Sequence, residues 1–155
     1  MNSKQETAPL NVLLADDDSD DCLFFGKALK ELPIATNLIS VQDGEDLMKY
    51  LSDNSENLPD ILFLDLSMPR KTGFECLAEI KGNEKLKGLS VVVFTIAYPH
   101  NLDFEREITN TLTKMGAQEF IRKSADLTKL KQAIHHALIL LTEKKPLNGR
   151  VETIL

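Results

Sequence analysis

Five short apolar runs, each followed by a stretch whose hydrophobic residues recur at helical spacing, restrict this chain more than any other feature. The runs are NVLLA (11–15), NLISV (37–41), ILFL (61–64), VVVF (91–94) and EFIR (119–122), each of strand length. Between and after them lie Phe25, Ala28, Leu29 and Leu32; Leu47, Met48 and Leu51; Phe74, Leu77 and Ile80; Phe104, Ile108, Leu112 and Met115; and Leu127, Leu130, Ile134, Leu138 and Leu141. Near-continuous apolar strands alternating with amphipathic helices imply a parallel sheet covered on both faces, because crossovers between parallel strands carry helices. The expected fold class is therefore a doubly wound α/β domain. Breakers mark the joints: Pro33, the Asp43-Gly44 pair, Pro59, Gly88 and Gly116.

Composition removes several classes of function. A chain of 155 residues, 43% hydrophobic and 27% charged, has the balance of one soluble globular domain. A net charge of -6 without a basic patch argues against nucleic acid as a partner, since such binding needs clustered Lys and Arg. The polar start MNSKQETAPL lacks an apolar secretion core, and SVVVF and ALILL are too short to span a bilayer, so a cytoplasmic protein with no membrane partner is expected. Cys22 and Cys76 read as reduced thiols in helices, without zinc-ligand spacing.

In an open parallel sheet the ligand site lies outside the carboxyl ends of the strands. The residues there are Asp16 and Asp17 after the first run, Asp65 after the third, Thr95 after the fourth and Lys123 after the fifth. Clustered carboxylates with oxygen-only donors suit a hard cation such as Mg2+. A carboxylate beside such an ion can attack phosphorus, and a hydroxyl and an ammonium are what the transferred group's oxygens need. Within DDDSDD (16–21), Asp18, Asp20 and Asp21 are assigned to helix capping or to the surface. A calcium loop fits poorly, because Asp21 and Lys27 stand where it needs Gly and an acid. His100, His135 and His136 read as surface histidines.

On Asp16, Asp17, Asp65 within DLSMPRKTG, Thr95 after VVVF and Lys123 after EFIR, the chain resembles the receiver domains of two-component response regulators. The resemblance implies a flavodoxin-like (βα)5 three-layer sandwich with strand order 2-1-3-4-5, spanning 10–142 between tails 1–9 and 143–155. It makes Asp65 the phosphoacceptor, with Mg2+ held directly by Asp17, Asp65 and the Ser67 backbone carbonyl and by Asp16 through water. Thr95 and Lys123 would bind the phosphoryl group, and Thr95 with Phe120 would form the switch. The implied partner is a sensor histidine kinase or a histidine phosphotransfer protein. The Lys123-Ser124 pair is similar to that of the small stand-alone regulators that pair with bacterial phytochromes.

The chain departs from the family pattern in three places. Ser124 stands where Pro usually follows the lysine, Ile96 is bulky where a small residue usually follows the threonine, and the segment around AYPHNLDFERE is longer than usual. Other functions weighed are a phosphorylation-independent interaction module of the same fold and an Asp-nucleophile phosphohydrolase. The hydrolase needs a second Asp two residues after the nucleophile, where this chain has Ser67. The residues given after Thr142 cannot form a DNA-binding domain, so output by protein binding or onward phosphoryl transfer is expected. A homodimer through the fourth helix, fifth strand and fifth helix is expected too, on the apolar surface assigned to Ala133, Ala137, Ile139 and Leu140.

Overall fold

The computed structural model of the chain describes residues 8–96 and 102–144. Most of both expected tails, His100 and the start of the long segment after the fourth strand lie outside the described residues. Ten elements alternate in the expected order: β1 Leu10–Ala15, α1 Ser19–Lys30, β2 Thr36–Val41, α2 Gly44–Asp53, β3 Ile61–Leu64, α3 Gly73–Lys81, β4 Ser90–Thr95, α4 Leu102–Lys114, β5 Glu119–Arg122 and α5 Leu127–Lys144. All five strands are parallel, in the order β2-β1-β3-β4-β5. This is the flavodoxin-like arrangement.

Side chains of a strand alternate between faces, and here the alternation divides the core in two. Leu13, Ala15, Leu62, Leu64, Val91 and Val93 face a layer that includes α2, α3 and Leu112 of α4. Val12, Leu14, Ile61, Phe63, Val92 and Phe94 face α1 and α5. In the second layer Phe25 of α1 meets Phe63 and Phe94 edge-on, with ring centroids 4.9 and 5.4 Å away. Burying such a ring contributes about 2 kcal/mol, and its edge-to-face contacts add to that.

Helix starts are specified locally. Asp18 caps α1 by accepting from the Asp21 N–H, and Thr72 with Glu75 forms a reciprocal capping box on α3. The Asp43-Gly44 pair stands at a joint as expected, capping and opening α2, with the Asp43 side chain accepting from the Asp46 N–H. Among the described residues no helix is long and apolar enough to cross a membrane.

Candidate functional site

The backbone ladder runs one residue past several strands, and this sets the site in register. The Asp16 N–H donates to the Val41 carbonyl at 3.0 Å, the Asp65 N–H to Ala15 at 3.0 Å and the Lys123 N–H to Thr95 at 2.8 Å. Asp16, Asp65 and Lys123 therefore stand at one rim of the sheet, each held by main-chain bonds that no side chain has to supply. Asp17 follows on the exposed side. Carboxylate oxygens of Asp16, Asp17 and Asp65 can be chosen within 4.8 Å of one another.

Lys123 lies across this group. Its Nζ is 2.8 Å from Asp16 Oδ2, 2.8 Å from Asp21 Oδ2 and 3.5 Å from Asp65 Oδ2, and it stands 5.4 Å from the centroid of the Phe94 ring. Burial favours its neutral form, but the surrounding carboxylates more than reverse this and hold its pKa well above the ordinary value. Asp16 is fully buried, and loss of solvent raises its carboxyl pKa despite the bonds from Lys123 and the Asp18 N–H. One ammonium thus undercompensates several carboxylates. An oxygen-only donor set with that deficit suits a divalent cation, whose charge would make up the difference.

The loop after β3 is built to hold Asp65 still. Asp65 Oδ1 accepts from the Thr95 hydroxyl at 3.0 Å and from the Ser67 N–H at 3.3 Å. Gly73 opens α3 against the backbone of Asp65 and Leu66, where an added Cβ would sit 2.3 Å from the Asp65 carbonyl oxygen. Gly44 is equally hemmed in, its Cβ position lying 2.1 Å from the Lys71 oxygen. Arg70 takes φ 70° and bonds Asp43 Oδ2 through Nε at 3.0 Å, fastening the loop to the start of α2.

Residues 12–135 match the model of the response regulator receiver domain. The chain belongs to the response regulator receiver family. Response regulator Rcp1 of Synechocystis sp. is 35% identical over 141 residues, which are 85% of this receiver and 90% of that protein. The crystal structure of the Mn2+-bound form of Rcp1 superposes with a TM-score of 0.72 at 30% identity, covering 91% of this receiver and 100% of that chain. The phosphorylated cyanobacterial phytochrome response regulator RcpA gives a TM-score of 0.74 at 29% identity, over 92% of this receiver and 100% of that chain.

All the expected site positions except Phe120 lie at this rim. Phe120 sits within β5, half-buried against the α2, α3 and α4 layer. In this receiver the Thr95 hydroxyl already bonds Asp65, so any travel of Thr95 toward a group on Asp65 starts from hydrogen-bond distance. Ile96 is 67% exposed beside Thr95. Ser124 opens a tight turn, its Oγ accepting from the Asp126 N–H at 3.0 Å, and Asp126 then bonds the Thr128 and Lys129 N–H groups at the start of α5. The missing proline is thus replaced by a side-chain-bonded turn into a capped helix.

Two readings of the sequence need correction. Asp18 does cap α1 and Asp20 is exposed, but Asp21 is bonded to Lys123 at 2.8 Å and belongs to the site. The apolar surface assigned to α5 is also smaller than expected. Ala137 is fully buried and Ala133 packs against the α1 and α5 layer, which leaves Ile139 at 38% exposed and Leu140 half-buried. His136 is exposed and bonded to Glu119 at 3.0 Å, whereas His135 is half-buried.

Proposed function

We propose that this receiver is a phosphorylation-controlled signalling protein whose Asp65 accepts a phosphoryl group from a phosphohistidine of a sensor histidine kinase or a histidine phosphotransfer protein. The observation that carries the reading is the setting of Asp65, with the Thr95 hydroxyl at 3.0 Å, the Lys123 ammonium at 3.5 Å and two further carboxylates beside it. A carboxylate oxygen of Asp65 attacks phosphorus in line, the P–N bond breaks with its electron pair left on the imidazole, and an acyl phosphate forms. Lys123 and Thr95 donate to the phosphoryl oxygens, where charge has to be offset.

Mg2+, held by Asp16, Asp17, Asp65 and the Ser67 carbonyl, supplies further charge neutralisation when bound. RcpA is named a phytochrome response regulator, which favours a phytochrome-type kinase as the donor here as well. Output runs through protein contacts or onward transfer, with Thr95 and Phe120 relaying the state of Asp65 to the face formed by α4, β5 and α5. Self-association of two copies through that face is part of the proposal, resting now on Ile139 and Leu140. The hydrolase alternative lacks a general acid and base, because the position two residues after Asp65 is Ser67.

Incubation with acetyl phosphate and Mg2+, read by intact mass, tests the reading. The expected result is one added phosphoryl group, absent in Asp65→Asn and absent when EDTA removes the metal. Unmodified protein under these conditions and with a phosphorylated histidine kinase would overturn it.

A further inference from the structure

Lys123 is surrounded by three carboxylates, and two of them have another task. Asp16 and Asp65 belong to the oxygen cluster that suits a divalent cation, whereas Asp21 does not. A cation entering the cluster repels the ammonium and competes with it for Asp16. Lys123 has little freedom to leave, because its side chain is only 11% exposed. The one carboxylate with no share in the cation is therefore the one onto which the ammonium can turn.

We propose, building on the functional reading above, that Asp21 is a positioning residue for Lys123: it retains the ammonium at the site when a divalent cation takes Asp16, so that both cations are present together at Asp65. Its backbone is set for this. Asp21 is the third residue of α1, its N–H is donated to Asp18 Oδ1 at 3.0 Å, and the helix is anchored by the buried Phe25. An acidic residue in a first helical turn is favoured by the helix dipole alone, which accounts for the residue type. It does not account for a 2.8 Å contact with a lysine 102 positions away.

The test is a double-mutant cycle on Mg2+ affinity, measured by calorimetry on the full chain, with Asp21→Asn and Lys123→Met. Asp21→Asn is expected to weaken Mg2+ binding about fivefold in the natural background, and less than about twofold once Lys123 is replaced. Asp21→Glu should recover most of the affinity. The Lys123 ammonium resonance should persist on Mg2+ addition in the natural chain and broaden beyond detection in Asp21→Asn, while the melting temperatures stay close.

Equal losses in both backgrounds would make Asp21 no more than a distant negative charge and would overturn the proposal. So would unchanged affinity in Asp21→Asn, or a natural chain that binds no Mg2+. Phosphorylation by acetyl phosphate separates the two readings. A chain that binds Mg2+ with the expected coupling but takes no phosphoryl group upholds the role of Asp21 and defeats the phosphoacceptor. Normal phosphorylation without coupling does the reverse.

Discussion

Replacing Gly73 by Ala tests whether α3 is packed against the phosphoacceptor's own backbone. The added Cβ would lie 2.3 Å from the Asp65 carbonyl oxygen, 2.7 Å from Leu66 Cα and 3.0 Å from the Asp65 carbonyl carbon. Carbon contacts relax at about 3.5 to 4 Å, so the helix start has to retreat by roughly 1 Å from atoms that are backbone and cannot rotate aside. Retreat also stretches the Gly73 N–H bond to the Leu66 carbonyl, now 3.0 Å. Overpacking of this kind costs about 1 to 3 kcal/mol. Working against it, Ala is the better helix former by up to about 1 kcal/mol, less in the first turn.

The balance is a loss of about 1 to 2 kcal/mol, read as a lower urea midpoint at unchanged slope, with slower phosphorylation of Asp65. Gly88→Ala is the matched control, since nothing lies within 4 Å of its Cβ position, and it should stay within about 0.5 kcal/mol of the natural chain. Gly73→Ala as stable as the natural chain or more so, with phosphorylation unchanged, would refute the packing argument.

Three further outcomes are expected. Asp17→Ala should remove most Mg2+ binding in calorimetry while Asp18→Ala, which loses only a helix cap, retains the affinity and is destabilised by about 1 kcal/mol. Lys123→Ala should slow phosphorylation by acetyl phosphate or abolish the conformational response to beryllofluoride in amide spectra, and a chain normal in both would take Lys123 out of the site. The Asp46 N–H, with the Arg70 guanidinium, holds the Asp43 carboxyl below its ordinary value of 3.8. Its stabilising contribution is therefore complete above that value and lost as pH falls through the lower, folded-state value. Urea titrations should show Asp43→Asn, which keeps a cap, less stable than the natural chain near neutral pH, with the gap closing under strong acid.

The fold was legible because each strand is a compact apolar run and each helix has a stripe at its own period, so no element depended on distant information. The rim residues were legible for a related reason: a parallel ladder carries the residue after a strand to a known edge. Asp21 was not, because a helix start attracts acids for local reasons and its partner lies on the far strand of the chain. Ala133 and Ala137 were misread because α5 packs closely against α1 as well as covering the sheet. Small side chains there widen the buried stripe beyond the Leu and Ile positions that mark it in the sequence. The anchoring of the loop by Arg70 to Asp43 joins positions 27 apart through one side chain, and no periodicity signals that.

The ladder that gathers Asp16, Asp65, Thr95 and Lys123 at one rim leaves none of these four groups at the opposite one. Turns 31–35, 54–60 and 82–89 feed the strands from that side, far from the carboxylates along the strand direction. Dyes, affinity handles or inserted peptides placed in those turns would ride on the rigid sheet without touching the reacting atoms. The molecule therefore offers an instrument-ready end and a working end, and a reporter fixed to the first can follow events at the second.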